Sequence, residues 1–265
     1  MDEQTLLNAL NDLALPRIYF FDETDSTNER ALAFAAQSAP EFSLVIAERQ
    51  TAGRGRFGRR WQTAPGTSLA FTLILRPSHA ELERLGLFSF LGAVAICLAI
   101  ETLSEAKPMV KWPNDILLGG KKAAGVLAES SWRGDNLDGL VLGMGINLLP
   151  GSVPPPSEVM FPATCVQAYS DKLIDRLEFL KAVVNNLIEW RPKVHFNDFL
   201  ETYRSRLAFL EQSVILTPIE GNCIQGVLVG VDKFGNLILK GEDGNKTAHP
   251  IGDLRLRVSP TGDCD

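Results

Sequence analysis

The hydrophobic and polar positions of the first third of the chain predict short helices and strands in alternation. The opening fifteen residues, MDEQTLLNALNDLAL, place leucines at helical spacing, and RIYFF (residues 17–21) follows as a strand candidate. In DSTNERALAFAAQ, Ser26 stands three positions before Glu29, a capping-box pattern that predicts a helix starting near Ser26. FSLVIAE (residues 42–48) indicates a buried strand, and TSLAFTLILRP (residues 67–77) alternates as a half-buried strand does.

The middle of the chain combines one strongly apolar helix with a series of strands. LGLFSFLGAVAICLAI, residues 85–100, is shorter than the roughly 18 to 20 apolar residues that span a bilayer, so it predicts a buried helix. MVKW, NDILL, KKAAGVLAESSW and GLVLGMGINLL follow as strand candidates. Their connections are too short for crossover helices and therefore predict antiparallel pairing. Five prolines in residues 150–162 predict a long loop.

The C-terminal part changes character near Glu211. Before it, RLEFLKAVVNNLIEWR and FNDFLETYRSRLAFL predict two helices. After it, the strand candidates SVILTP, CIQGVLVGVD, GNLILK and KTAHPI are separated by Gly, Asn and Asp turns. We therefore predict two domains, a catalytic domain of residues 1–210 and a small all-β domain of residues 211–265.

Charge and cysteine content limit the classes of protein that the chain can represent. The formal net charge of −6 gives no overall attraction to nucleic acid or anionic lipid, so any anion site must be local. The four cysteines, Cys97, Cys165, Cys223 and Cys264, form no CxxC pair, which argues against a disulfide framework and a structural zinc site. The acidic N-terminus is unlike a signal peptide. These features predict a cytoplasmic protein.

The segment AERQTAGRGRFGRRW, residues 47–61, holds five arginines in this acidic chain. It contains a literal GxGxxG, but Pro65 and Gly66 lead into a strand rather than a helix, so we reject a dinucleotide fingerprint. No P-loop motif is present. An RNA-binding arm and a solvated charged loop remain alternatives. The interleaved glycines favour a small-molecule anion site, because they let backbone N–H groups approach a ligand that guanidinium groups also bind.

Two further segments carry candidate chemistry. VKWPNDILLGGKKAAGVLAES surrounds Asn114 and Asp115 with lysines, a combination suited to phosphates and, through Asp115, to Mg²⁺. Gly125 in the same segment allows close backbone approach. In GMGINLL, Asn147 stands at a strand end, where its amide either reads a base or ribose or simply ends the strand. The lysines of the first segment are Lys111, Lys121 and Lys122.

The segments DSTNERA, AERQTAGRGRFGRRW, VKWPNDILL, KKAAGVL and GMGINL, in this order, resemble the biotin protein ligase (biotin–[acetyl-CoA-carboxylase] ligase) family. The resemblance runs from about Arg17 to Arg257, since GVLVGVDKFGNLIL resembles the family's small C-terminal domain. It implies an α+β fold with a central mixed, largely antiparallel sheet flanked by helices, like the catalytic domain of class II aminoacyl-tRNA synthetases, and a C-terminal SH3-like β-barrel. Some members begin with a winged helix-turn-helix; the STN motif at Ser26 implies the monofunctional class without it.

The resemblance also implies a two-step reaction. Biotin and ATP give biotinyl-5′-AMP and pyrophosphate, and a lysine of the biotin carboxyl carrier protein of acetyl-CoA carboxylase then takes the biotinyl group. ATP and biotin are the substrates, and Mg²⁺ is the expected metal. The expected partner is the apo carrier protein, with no nucleic acid and no membrane, and a homodimer is left open. The competing functions are a lipoate or octanoyl transferase of the same fold and a non-enzymatic biotin-responsive regulator.

The family's motifs also imply a role for individual residues. The implied biotin-binding residues are Ser26, Thr27, Asn28, Gln50, Gly53, Arg54, Gly55, Arg56, Lys122 and Gly125. The implied residues for ATP and the adenylate are Arg54, Arg56, Trp61, Lys111, Asn114 and Asn147. Lys122 and Arg56 are the implied catalytic residues, and Asp115 is the expected metal ligand. Trp61 is expected to stack on adenine, with an ordinary core tryptophan as the alternative. The segment 148–162 corresponds to a loop that orders over the adenylate.

Overall fold

The structure, a computed structural model, describes residues 1–218, 222–251 and 254–258. Cys264 and the end of the predicted second domain therefore lie outside the described residues. Within the described part, no helix combines the length and apolar character that crossing a membrane requires.

A seven-stranded mixed sheet forms the centre of the larger part of the chain. Its strands are β1 (Ile18–Thr24), β2 (Leu44–Gln50), β3 (Ser68–Leu75), β4 (Met109–Lys111), β5 (Asp115–Leu118), β6 (Lys121–Arg133) and β7 (Asn136–Asn147). They lie in the order β1-β2-β3-β7-β6-β5-β4. The β1–β2 pair is parallel and every other pair is antiparallel, which confirms the predicted mixed, largely antiparallel sheet.

Helices cover both faces of this sheet. The helices are α1 (Glu3–Ala9), α2 (Thr27–Ala36), α3 (Leu87–Leu103), α4 (Arg176–Trp190) and α5 (Asn197–Arg204). α2 packs on one face through small side chains such as Ala31 and Ala35, which contact Val45 and Val141. α3, buried along most of its length, packs on the other face beneath α4 and α5.

One prediction about β3 was wrong, because helices cover both faces of the sheet. Every residue of this strand is buried, so it is not the half-buried strand that its alternating sequence predicts. Thr72, the polar residue of the pattern, is fully buried because α2 covers that face, and its hydroxyl finds partners on Thr27 and Asn28 of the helix. The polar position in this alternating pattern is therefore a buried, hydrogen-bonded side chain and not one exposed to solvent.

Smaller differences concern helix ends. Ser26 is the N-cap of α2, as predicted, but its side chain makes no capping hydrogen bond; the side chain of Gln50 accepts the N–H of Thr27 instead. α5 ends at Arg204, six residues before the end of the segment from which it was predicted. Residues 150–162 contain only 3₁₀ turns, Pro150–Ser152 and Pro156–Glu158, in agreement with the predicted loop.

The C-terminal strands form a separate antiparallel sheet. They are β8 (Ser213–Pro218), β9 (Ile224–Val231), β10 (Leu237–Lys240), β11 (Lys246–His249) and β12 (Leu254–Val258), in the order β11-β10-β9-β8-β12. This open sheet is compatible with the predicted SH3-like barrel; β12 was not predicted. Trp112 joins the two sheets, since its indole N–H donates to the carbonyl of Gly235 at 3.0 Å.

Candidate active site

A cleft lies over β6 and β7, beneath residues 51–61, which we call the arginine loop. Among the described residues that line it, seven are basic and one is a carboxylate, Asp115. The basic residues are Arg54, Arg56, Arg59, Arg60, Lys111, Lys122 and Arg257. In a chain of net charge −6 this concentration of cations is local, as the sequence predicted, and it favours an anionic ligand.

The arginine loop folds back on itself as a small hairpin. Gly53 accepts the N–H of Trp61 at 2.8 Å, and the N–H of Gly55 donates to the carbonyl of Arg59 at 2.8 Å. A Cβ atom on Gly53 would meet the carbonyl oxygen of Trp61, so this position requires glycine. Phe57, at the tip, has a φ of 61° and lies beside the guanidinium of Arg56. The loop is thus a turn without a following α-helix, which supports rejection of the dinucleotide fingerprint.

β7 forms the floor of the cleft, and three alternate residues of this strand lie on the same face. Gly143, Gly145 and Asn147 are spaced by two residues, so their Cα–Cβ directions coincide. A side chain on Gly143 would overlap the amide of Asn28, and one on Gly145 would overlap the indole of Trp61. The two glycines therefore admit two functional side chains directly onto the backbone of the strand.

The end of the cleft above Gly143 is polar and buried. Ser26, Thr27 and Asn28 are each 4% exposed, although they begin a helix. The carboxamide oxygen of Gln50 accepts from the N–H and hydroxyl of Thr27 at 2.7 and 3.1 Å. The hydroxyl of Thr72 lies 2.8 Å from that of Thr27 and 2.7 Å from Oδ1 of Asn28. The site therefore brings together the hydroxyl and amide residues predicted from the STN motif, in a form suited to a small polar, uncharged group.

Trp61 lies in the middle of the floor, outside the hydrophobic core. Its indole covers Gly145, its Nε1–H is buried with no acceptor among the described residues, and its ring lies 5.5 Å from Nζ of Lys122. The side chain is only half-buried and contributes to neither core cluster, which rules out the alternative of an ordinary core tryptophan. A buried indole donor in a cleft is available to a ligand acceptor.

Lys122 and Lys111 form the basic centre together with Asp115. Nζ of Lys122 lies 2.5 Å from Oδ1 of Asp115, and a Cβ on Gly125 would crowd both groups at 3.2 and 3.5 Å. Gly125 thus makes room for the ion pair. Lys111 is 6% exposed; burial, aided by the charges of Arg257, Lys122 and Arg59 and opposed by Asp115, lowers its pKa to about 8.

A second cavity adjoins the first on the side of Asn147. Residues 154–163 close it, with Phe161 placed so that its ring lies 4.3 Å from Nζ of Lys111. The backbone of Lys122 exchanges hydrogen bonds with this segment, donating to Pro162 at 2.7 Å and accepting from Thr164 at 2.9 Å. Trp61, Lys111 and Lys122 line both cavities, so they stand at the boundary between them.

Asn114 and Asn147 reach the cavities but are tied to the backbone. The side-chain amide of Asn114 donates to the carbonyl of Val126, and that of Asn147 donates to the carbonyl of Thr164 at 3.1 Å. Both amides therefore hold neighbouring backbone segments in place. Asn147 does more than end its strand, because its amide also ties the strand to Thr164. Their contact with a nucleotide stays a prediction.

Arg54 takes a position that the sequence did not predict. Its guanidinium Nη2 lies 2.7 Å from a carboxylate oxygen of Glu29 and 3.0 Å from one of Glu129, so two carboxylates hold it at the rim of the cleft.

Arg257 is a residue of the cleft that was not predicted from the sequence, because it lies on the unpredicted strand β12. The LRLRV segment contains two arginines at alternate positions, and that alternation is the signal that could have revealed a strand with a basic face.

The residues present fit a metal ion only in a limited way. No group of three or more His, Cys, Asp or Glu side chains is placed to hold a metal in the part of the chain that the structure describes. Among the described residues that line the cleft, Asp115 is the one carboxylate. This donor set fits Mg²⁺ bound mainly through substrate phosphates, because that ion commonly takes one or two protein carboxylates.

Comparisons with known proteins agree with this arrangement. Residues 20–147 match the Biotin/lipoate A/B protein ligase family, and residues 209–264 match the Biotin protein ligase C terminal domain. The chain is 34% identical over 237 residues to the Biotin–[acetyl-CoA-carboxylase] ligase of Paracoccus denitrificans, a match covering 84% of this chain and 94% of that protein. It is 32% identical over 246 residues to the Bifunctional ligase/repressor BirA of Bacillus spizizenii, covering 90% and 74%.

A solved structure extends the comparison to three dimensions. The biotin protein ligase from Aquifex aeolicus in complex with biotin and ATP superposes with a TM-score of 0.76 at 31% identity. The match covers 92% of this chain and 100% of that one. Both sheets described above are therefore similar to those of a ligase whose structure holds both small molecules.

Proposed function

The chain belongs to the biotin protein ligase family, and we propose that it activates biotin with ATP and transfers the biotinyl group to a lysine of the biotin carboxyl carrier protein of acetyl-CoA carboxylase. One observation carries this proposal: Lys122 lines two adjoining cavities, one ending in buried hydroxyl and amide groups and the other bounded by Trp61 and Lys111. The first suits the ureido ring of biotin and the second suits the adenylate.

In the first step the carboxylate oxygen of biotin attacks the α-phosphorus of ATP, and the bond to pyrophosphate breaks. Both reactants are anions, so the protein's task is to position them and neutralise their charge. Lys122 lies at the boundary of the two cavities, where the reacting atoms meet, and Arg56 closes the cleft from the loop. The buried side chain of Lys111 adds a third cation on the nucleotide side. These groups stabilise charge that develops in the transition state.

At the other end of biotin, Ser26, Thr27, Asn28 and Gln50 surround the ureido ring. The urea offers one acceptor and two donors, which hydroxyl and amide groups can pair. The existing bonds between Thr27, Gln50 and Thr72 fix these groups before the substrate arrives. Such preorganisation lowers the cost of ordering the site on binding.

In the second step the amine of the carrier lysine attacks the acyl carbon of biotinyl-5′-AMP. The bond between that carbon and the phosphate oxygen breaks, AMP leaves, and the nitrogen loses a proton. Until the carrier arrives, the arginine loop and residues 154–163 cover the mixed anhydride and keep water from it. We propose that Trp61 stacks on the adenine ring and that Gly53, Gly55 and Gly125 provide the close backbone approach that the ligand needs.

Mg²⁺, if held by the ATP phosphates and Asp115, would neutralise phosphate charge beside Lys122.

We further propose that residues 1–210 and 211–265 are separate domains, with Arg257 of the second reaching the cleft. The lipoate or octanoyl alternative is not favoured, since the relatives reported above are biotin ligases.

The test combines the purified protein with biotin, ATP, Mg²⁺ and an apo carrier domain, followed by detection of protein-bound biotin. The expected result is one biotin on one carrier lysine, with AMP and pyrophosphate released in equal amounts. Lipoate in place of biotin should give no product. Absence of biotinyl-adenylate in the reaction without carrier would overturn the proposal.

A further inference from the structure

Glu129, on β6, contacts two residues that belong to different parts of the proposed biotin site. Its Oε2 accepts from the amide Nδ2 of Asn28 at 2.7 Å, and its Oε1 and Oε2 accept from Nη2 of Arg54 at 3.0 and 3.1 Å. Asn28 begins helix α2, whereas Arg54 lies in the arginine loop. A single carboxylate therefore joins the polar end of the cleft to the loop that covers it.

The contact with Asn28 fixes which way its amide points. Nδ2 donates to Glu129 and to the carbonyl of Leu127 at 3.2 Å, while Oδ1 accepts from the hydroxyl of Thr72 at 2.7 Å. Asn28 is 4% exposed, and Gly143 leaves no space beside its amide. Because a carboxylate and a backbone carbonyl only accept, Glu129 and Leu127 together permit one orientation of the amide and exclude the flipped one.

The contact with Arg54 restrains the loop. Glu29 holds the same guanidinium at 2.7 Å, so Arg54 is clamped by two carboxylates. An exposed ion pair by itself contributes little to stability, and Arg54 is 40% exposed. Glu129 differs from Glu29 in its second bond, to the buried amide of Asn28. Through this bond the position of the loop depends on the geometry of the polar end of the cleft.

We propose that Glu129 is a positioning residue for biotin, which sets the orientation of Asn28 and the closed position of the arginine loop together. The inference rests on the proposed function. It assigns Arg54 to anchoring the loop rather than to binding the acyl phosphate, since two carboxylates already neutralise its charge. Loss of Glu129 loosens the hold on biotin from both sides and leaves the nucleotide side, around Lys111 and Trp61, unchanged.

The experiment compares Glu129→Gln with Glu29→Gln as the matched control. Glu129→Gln is isosteric but uncharged, and its NH₂ replaces one of the two oxygens that accept from Asn28 and Arg54, so charge-assisted bonds are lost and one acceptor position becomes a donor. Glu29→Gln weakens the clamp and leaves Asn28 untouched. Biotin affinity is measured by calorimetry and the KM values for biotin and ATP by adenylate formation. We expect Glu129→Gln to weaken biotin binding roughly tenfold or more, because bonds to a charged acceptor are lost, with KM for ATP within about twofold. Glu29→Gln should shift biotin binding by less than about threefold.

A double-mutant cycle with Arg54→Met separates positioning from a general loss of stability. If Glu129 acts partly through Arg54, the double variant should lose less biotin affinity than the product of the two single losses. Thermal unfolding of each variant checks that the fold is retained. Equal changes in the KM of biotin and of ATP, or unchanged biotin affinity in Glu129→Gln, would overturn the inference. If wild-type protein itself neither binds biotin nor forms adenylate, it is the proposed function that fails.

Discussion

The ammonium of Lys122 lies 2.5 Å from the carboxylate of Asp115, so the lysine at the boundary of the two cavities forms an ion pair within the cleft. The pair is partly buried, with the two side chains 27% and 19% exposed. An opposite charge this close fixes the direction of the ammonium. In the proposed reaction, phosphate and carboxylate oxygens replace or share this contact.

Replacement of Lys122 by alanine tests this arrangement. We expect Lys122→Ala to lower the single-turnover rate of adenylate formation about 100-fold or more, with ATP binding weakened far less, because the interaction strengthens as charge develops. Lys121→Ala, one residue away and exposed, is the matched control and should retain the wild-type rate. Adenylate formation by Lys122→Ala at the wild-type rate would exclude the role.

The contact of Trp61 with Gly145 gives a second prediction. A methyl group at position 145 would overlap the indole, so Gly145→Ala must displace Trp61 from the floor of the cleft. We expect at least a tenfold loss of the rate of adenylate formation, with the sheet retained. Gly139→Ala is a control on the same strand, where the new methyl would lie 2.9 Å from the Cβ of Ala35, outside the cleft. It should lower the melting temperature and leave KM for ATP unchanged; equal losses of rate in both variants would contradict the prediction.

Local patterns in the sequence were sufficient for most of the larger sheet and for the identity of the family. The antiparallel pairing of β4 to β7 was predicted from short connections, and the arginine loop was interpreted as an anion site from its glycines. These features are encoded within a few neighbouring residues. The prediction that residues 67–77 form a half-buried strand was wrong because α2, distant in sequence, covers the second face.

The relations that define the site were less accessible from sequence. Glu129 stands in an ordinary polar stretch, and only the fold brings it to Asn28, 101 residues earlier. Arg257 depends on β12 pairing with β8, a contact between segments that are remote in sequence. No role was predicted for the two glycines of GMGINLL, whereas the structure shows that they make room for Asn28 and Trp61. Contacts of this kind depend on tertiary packing, which a single sequence does not display.

Lys111 predicts a pH dependence of ATP binding. Burial lowers its pKa to about 8, and a bound phosphate favours the charged form, so the pKa rises in the complex. Affinity for ATP should therefore be fully present below pH 8 and fall, by up to about tenfold per pH unit, as the pH rises above 8. Calorimetry with a non-hydrolysable ATP analogue between pH 7 and 9.5 measures this. Lys111→Arg, which stays charged throughout, should give a flatter profile; a wild-type affinity constant to pH 9.5 would refute the assignment.

Glu81 predicts a loss of stability in acid that is independent of the cleft. Its side chain is 11% exposed, and burial alone raises its pKa. The carboxylate accepts hydrogen bonds from Arg191 at 2.7 and 3.1 Å and from the N–H of Ser78, and it contacts the ring of His195. These contacts outweigh burial and lower the pKa to about 2. Because the folded-state pKa lies below the ordinary value of 4.5, this contribution is present above pH 4.5 and is lost as the pH falls towards 2.

Urea unfolding of Glu81→Gln across this pH range checks the effect. The variant should be less stable than wild type by about 3 kcal/mol at pH 6, and the difference should shrink towards zero near pH 2. Glu101→Gln is the control: Glu101 also forms a pair, with Arg206, but is 34% exposed. Its substitution should cost less than about 1 kcal/mol. A difference for Glu81→Gln that does not change with pH would contradict the prediction.

The last prediction separates formation of biotinyl-5′-AMP from its retention. Arg56 lies in the arginine loop beside Phe57, a residue in a left-handed conformation, so the loop at this point is shaped by a turn rather than by regular structure. Arg56→Gly removes the proposed guanidinium donor to the acyl phosphate and adds backbone freedom, and we expect this to raise the rate of ligand release before it abolishes chemistry. The glutamate clamp on Arg54 keeps one part of the loop attached to the sheet. We therefore expect the variant still to make the adenylate but to release it.

Released adenylate reacts with any exposed lysine, and this gives the measurement. Wild type or Arg56→Gly is mixed with biotin, ATP and an unrelated lysine-rich protein, and the bystander is blotted for biotin. Labelling by the variant should exceed that by wild type at least tenfold, and the excess should fall when a primary amine such as free lysine is added in large excess, because the amine traps the anhydride in solution. Arg49→Gly is the matched control: Arg49 is an arginine two positions before the loop, paired with Glu23 on the sheet, and its loss should leave the adenylate bound. Equal, negligible bystander labelling by Arg56→Gly and wild type, with adenylate synthesis intact, would show that Arg56 does not retain the intermediate.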